Sequence, residues 1–176
     1  FSDYLDMLKI CTDITGNEQA YRTYGLDVQA QIETMLDQVR AHTAEQKNIL
    51  FIRAGSGYSA TKAKTAQDNF ACAMLDELGL HNIADDAPIL LDGLSFEAVL
   101  TADPDYIFFS AMGKEDAAQA YVATLLAEET WQNLSAVQDG QYGFLPKDLF
   151  HFKPNARWAQ AYAYLIGLLY PGLLEG

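Results

Sequence analysis

From residue 48 onward the chain alternates short apolar runs with helical stripes, and this alternation restricts the fold more than any other feature. Asn48–Ala54 (NILFIRA) is rich in β-formers and bounded by Gly55 and Gly57, so it reads as a buried strand. Gln67–Leu78 follows as a helix with Phe70, Ala71, Met74, Leu75 and Leu78 inward, closed by Gly79. Pro88–Leu91 reads as a second short strand, and Ser95 as the cap of a helix running towards Ala102. Tyr106–Ser110 (YIFFS), introduced by Asp103-Pro104-Asp105, is the clearest strand. Glu115–Ala127 is helical, and Gln141–Leu145 is a fourth strand after the Asp139-Gly140 turn. Pro154 opens a last helix whose inward face is Trp158, Ala161, Tyr162, Leu165, Leu168 and Leu169. The sequence predicts an α/β fold: a mostly parallel open sheet of about four strands flanked by helices.

The residues before the first strand read as helix only. Tyr4, Met7, Leu8 and Cys11 recur at helical spacing up to Gly16, and Val28, Ile32, Met35, Leu36 and Val39 form a second, longer stripe. With no strand to pair with, 1–46 is expected to be a helical connector and 47–176 the α/β lobe. Left uncovered, the stripe of Val28, Ile32, Met35 and Val39 would be a seam for self-association. Cys11 and Cys72 fall within apolar helical patterns and read as buried small hydrophobes, with no disulfide or metal partner at a suitable spacing.

Charge excludes one class of partner. Eleven basic residues against 24 acidic ones leave a net charge of −13, which would repel a nucleic-acid backbone. The apolar run Tyr162–Leu169 is too short to span a bilayer. No basic amino-terminal region followed by an apolar segment marks an export signal, and because the first residue is Phe1 the chain is expected to be cut from a longer one.

In open parallel sheets, ligands bind on the loops at the carboxyl ends of the strands. Seven of the eleven basic residues, Arg53, Lys62, Lys64, Lys114, Lys147, Lys153 and Arg157, fall on or beside those loops. An acidic protein that gathers its few cations there is expected to bind an anion. The longest such loop, Ala54–Gln67, offers Gly55 and Gly57 for close backbone approach and donors from Tyr58, Ser59, Thr61, Lys62 and Lys64. Gly55–Ala60 also satisfies a relaxed dinucleotide fingerprint, but Asp76 and Glu77, at the distance where an acidic strand end is required, lie within a helix. A nucleotide or flavin enzyme built on the Gly55 loop is the alternative reading. No nucleophile elbow is present, and His42, His81 and His151 lack a chelating spacing. No catalytic residue, resident metal or cofactor is read from the chain.

Several longer patterns carry a resemblance. Trp131–Pro146 (WQNLSAVQDGQYGFLP), Leu94–Ser110 (LSFEAVLTADPDYIFFS), Leu145–Pro171 and the amino-terminal Thr12–Ala20 (TDITGNEQA) resemble the solute-binding proteins of siderophore, haem and cobalamin ABC importers. The tail resembles members for iron compounds and molybdate. The resemblance implies a carboxy-terminal lobe preceded by a long inter-lobe connector helix, a missing amino-terminal lobe of the same chain, and no enzymatic activity. It also implies an extracytoplasmic setting, periplasmic or lipid-anchored, with an anionic metal chelate or oxyanion held in the inter-lobe cleft and handed to an ABC permease. Glu97 matches the exposed glutamate with which the family docks its permease. Tyr58 is the contact best suited to a hard metal or chelate. Phe150, Phe152 and Trp158 are further faces for a haem or corrin ring, although Trp158 also fits the core side of its helix. Ser59, Arg53, Lys62, Lys153 and Arg157 are expected ligand contacts.

Overall fold

A computed structural model of the chain describes residues 1–42 and 45–175. The helices are α1 (Ser2–Thr15), α2 (Glu18–Tyr21), α3 (Asp27–His42), α4 (Phe70–Glu77), α5 (Ile89–Asp92), α6 (Phe96–Ala102), α7 (Glu115–Leu126), α8 (Glu129–Gln132), α9 (Ser135–Gln138), α10 (Lys147–Phe150) and α11 (Trp158–Leu169). The strands are β1 (Asn48–Ala54), β2 (Lys62–Ala63), β3 (His81–Asn82), β4 (Tyr106–Ala111) and β5 (Tyr142–Phe144). Two units form: Glu45–His151 holds the sheet, and Phe1–Ala44 with Phe152–Gly176 makes a helical body. The last helix, expected with the α/β lobe, falls in the helical body.

Parallel pairing of β1 with β4 over six residue pairs, from Ile49↔Tyr106 to Ala54↔Ala111, is the sheet's centre. Both strands are buried on both faces, which requires near-continuous apolar runs and explains why NILFIRA and YIFFS are legible as strands. Beyond β4 lies β5, also parallel. The other side of β1 is shared, with β3 parallel at its start and β2 antiparallel at its end. One face, from Leu50, Ile52, Ala54, Ile107, Phe109 and Ala111, packs with Val99, Val122, Leu125, Trp131 and Leu134. The Asp103-Pro104-Asp105 step clips this layer together. Asp105 Oδ2 accepts the Asn48 amide at 2.7 Å, while Asp103 accepts the Ser135 amide at 2.9 Å and the Ser135 hydroxyl at 2.6 Å.

The α/β class holds, with five strands instead of four and one strand replaced. Pro88–Leu91 is not a strand: Pro88 stands at the N-cap of α5, where its missing N–H and fixed φ suit a helix start and bar it from a ladder. The two-residue strands β2 and β3 are too short to carry an alternating pattern. Ser95 occupies the N-cap position of α6 without a side-chain capping bond.

In the helical unit, Val28, Ile32, Leu36 and Val39 of α3 are buried and α3 packs on α11, so this stripe is no exposed seam. Met35 is half-buried. Burial on α1 differs from the expected stripe: Tyr4 and Thr12 are buried, while Met7 and Cys11 are exposed. Cys72 is buried as expected, and that burial raises its thiol well above the ordinary range. Leu165, fully buried on α11, should lower the unfolding free energy by about 2–5 kcal/mol when changed to Ala. Urea denaturation measures this, and a loss below ~1 kcal/mol would show that α11 is not core.

Candidate functional site

Register brings two of the expected contacts side by side. Arg53 near the end of β1 lies directly opposite Lys62 on β2 and, on its other side, opposite Ser110 on β4. The three form one row across three strands at the sheet's carboxyl edge. Arg53 is exposed and Lys62 half-buried, and neither side chain has an ion-pair or hydrogen-bond partner among the described residues. Like charges directly opposite destabilise a ladder, so the pair is a local cost in a chain with thirteen excess negative charges.

Thr61, fully buried, sets the shape of the loop joining these strands. Its Oγ1 accepts the Gly55 amide at 3.1 Å and donates to the Gly57 carbonyl at 2.8 Å. A 3₁₀ turn, Tyr58–Ala60, forms the tip. Gly55 is required by space, because a Cβ there would lie 2.4 Å from Ala60 Cβ. Gly57 has open space and extended backbone, so the close approach read for both glycines belongs to Gly55 alone. Ser59 is exposed on the turn. Tyr58, 60% exposed, sets its hydroxyl against Gly93, where a Cβ would come within 3.2 Å. Burial holds the Tyr121 phenol above its usual value, with smaller contributions from Glu128 and Tyr58. The loop enters β2, not a helix, so the dinucleotide fingerprint lacks the helix N-terminus that would receive a pyrophosphate.

Other cations of the expected edge are committed elsewhere. Lys64 pairs with Asp68 at 2.6 Å; burial raises the Asp68 carboxyl, but Lys64 and the Thr65 amide outweigh it and hold it below the ordinary range. Lys147 donates to the Gly113 carbonyl at 2.7 Å, tying the loop after β5 to the loop after β4, and Lys114 stays exposed. Lys153 and Arg157 belong to the helical unit, where Lys153 Nζ meets Asp3 at 3.2 Å and Arg157 Nε donates to Gln160 at 2.7 Å. Phe150 is buried and stacks on Phe70, and Trp158 is buried, so neither offers a free face; Phe152 is 77% exposed.

Glu97 stands exposed in the first turn of α6, beside a surface cavity of about 600 Å³ that also touches His81, Asp86, Ile89 and Thr101. His81 Nε2 and Asp86 Oδ2 are 2.8 Å apart on this wall. Sequence reasoning misses the cavity, because β3 is too short to announce itself. Among the described residues no helix is long and apolar enough to cross a membrane, and no three His, Cys, Asp or Glu side chains cluster to hold a metal.

Gly55→Ala should lower stability by about 1–3 kcal/mol through overpacking against Ala60, while Gly57→Ala is tolerated. Thermal unfolding of the two variants reads this, and equal effects would contradict the geometry of the loop.

A profile of the periplasmic binding protein family matches residues 1–149. Among solved structures, the periplasmic heme-binding protein RhuT from Roseiflexus sp. RS-1 superposes with TM-score 0.76 at 20% identity, covering 96% of this chain and 62% of that one. IsdE of S. aureus complexed with heme gives 0.75 at 14%, covering 94% and 63%. A Fe3+-hydroxamate transport protein from Saccharomonospora viridis DSM 43017 gives 0.71 at 14%, covering 94% and 55%. The chain thus spans less than two thirds of the length of these structures, and no curated protein matches it significantly. Its α/β fold is theirs, and with most of its residues under the family profile the chain belongs to the periplasmic binding protein family, whose members bind solutes for transport and are not enzymes.

Proposed function

We propose that the chain is part of the extracytoplasmic solute-binding component of an ABC importer, periplasmic or lipid-anchored, and that it captures an anionic solute. The observation that carries this reading is the Arg53–Lys62 pair, two adjacent cations without partners at the sheet's carboxyl edge. An anion seated between them would relieve their repulsion, and desolvation on cleft closure would strengthen the contact. Ser59 and Tyr58 lie on the same loop, the first as a hydrogen-bonding group and the second as an exposed phenol for a ferric centre or a ring face. The similar structures, two of them heme-binding or complexed with heme and one of Fe3+-hydroxamate transport, support an iron chelate, haem or corrinoid as cargo, with a molybdate-like oxyanion as the smaller member of the class. The second half of the cleft would be the amino-terminal lobe of the longer protein.

Binding is tested on the full-length protein by titrating haem, a ferric hydroxamate and molybdate. Arg53→Ala with Lys62→Ala should weaken the bound anion at least ~10-fold, the loss shrinking as salt is raised. The same double variant should be no less stable without ligand, since it removes a like-charge pair. No binding of any of the three, or binding indifferent to both substitutions, overturns the reading.

Glu97 is proposed as the permease contact, its carboxylate having no partner among the described residues. Glu97→Lys should leave solute affinity within about twofold and abolish uptake through the permease, because a rim charge acts on docking and not on the distant pocket. Unchanged uptake removes Glu97 from the interface.

A further inference from the structure

The cavity of about 600 Å³ beside Glu97 opens at the other end of β1 from Arg53. Its wall includes Asn48 and His81, the first residues of β1 and β3, which face each other in the ladder. At the usual strand rise, Arg53 stands about 16 Å further along β1. The volume falls within the range of ~300–1,000 Å³ common to small-molecule sites. Ile83, Ile89 and Ala98 supply apolar walls, and the polar groups converge from separate elements. Asp86 comes from the turn after β3, and Ser95 and Glu97 from the start of α6. Ser95 does not cap its own helix. Among the described residues, its hydroxyl, the Asn48 side-chain amide and the Glu97 carboxylate have no hydrogen-bond or ion-pair partner.

Charge and chemistry together select the occupant. Asp86 and Glu97 both line the cavity, and among the described residues no lysine or arginine does. His81 is the one lining group there able to carry positive charge, and its Nε2 already meets Asp86 Oδ2 at 2.8 Å. An anion is repelled by such a wall, in a chain already at −13. A bare metal ion lacks its ligands, since among the described residues no three His, Cys, Asp or Glu side chains cluster to hold one. A neutral apolar molecule would take the carboxylates out of water with nothing to pair them. An organic cation satisfies both kinds of wall. Its N–H groups donate to the Asp86 and Glu97 carboxylates, the Ser95 hydroxyl and the Asn48 side-chain oxygen, while its carbon body rests on Ile83, Ile89 and Ala98.

We propose that this cavity binds a small organic cation, an amidinium, guanidinium or ammonium group carried on an apolar body. The site lies wholly within the Glu45–His151 unit and stands apart from the anion reading, sharing with the proposed function only Glu97 on its rim.

Benzamidine, a planar amidinium on a phenyl ring, tests this by calorimetric titration into the full-length protein. Binding should saturate at one site with a Kd below about 1 mM. Benzamide, the neutral molecule of the same shape, and benzoate, the anion, should bind at least ~10-fold more weakly. Ala98→Leu fills the cavity without changing charge and should weaken benzamidine at least ~10-fold, and Asp86→Asn at least ~3-fold. Both substitutions are remote from the Arg53 edge and should leave haem, ferric hydroxamate and molybdate binding within about twofold. If Ala98→Leu fails to fold, Asp86→Asn, on an exposed residue, and the benzamide comparison still decide. Three results overturn the proposal: no saturable binding, equal binding of benzamide, or an affinity indifferent to both substitutions, the mark of a cation held only by the general acidity of the surface. Full-length protein that binds benzamidine yet none of the three anions keeps this proposal and removes the functional reading, and anion binding without benzamidine binding does the reverse.

Discussion

The parallel pairing of β1 with β4 is the constraint on which the remaining structure depends. Ile49, Leu50, Phe51 and Ile52 face Tyr106, Ile107, Phe108 and Phe109 in register, and all but Tyr106 are completely buried. Each such side chain contributes about 1.5–3 kcal/mol on burial. The exposed ion pairs, Lys9–Asp13 and Arg40–Asp37, belong to a class worth at most about 1 kcal/mol each. Apolar burial therefore decides the fold, and the charged residues are left free to serve other ends. Because both strands end together at Ala54 and Ala111, the loops that leave them start side by side on one edge.

That edge combines rigidity with an electrostatic imbalance. Thr61 and Gly55 lock the loop after β1, and Lys147 ties the loop after β5 to Gly113. Arg53 and Lys62 are then held opposite each other by the ladder, where neither can swing away from the strand it belongs to. In the proposed function, a like-charge pair fixed on a stiff frame would be preorganised for an anion, since the repulsion is already present before any ligand arrives. Lys64 shows the contrasting arrangement two residues on, where Asp68 neutralises the cation within the fold.

The helical unit follows the same division. α3 and α11 bury their apolar stripes against each other, and the π-helical turn Arg22–Leu26 brings Gly25 onto α1. What distinguishes α1 is that its apolar arc continues past these contacts into solvent.

Much of the fold is legible in the sequence alone. The runs NILFIRA and YIFFS, the glycines that end α1 and α4, the Asp139-Gly140 turn and the α11 stripe are local signals. Each reflects burial on two faces, a left-handed cap or a 3.6-residue period, which neighbouring residues suffice to encode. Pro88–Leu91 misleads because four residues carry no period, and the proline's missing N–H weighs more than the β-propensity of its neighbours. The sequence by itself also determined the acidic balance. Only the tertiary structure decided which cations stay unpaired and which glycine is indispensable, and it alone separated the exposed stripe of α1 from the covered one of α3. Those outcomes depend on partners distant along the chain, from Asp103 with Ser135 to Lys147 with Gly113, and local patterns hold no record of them.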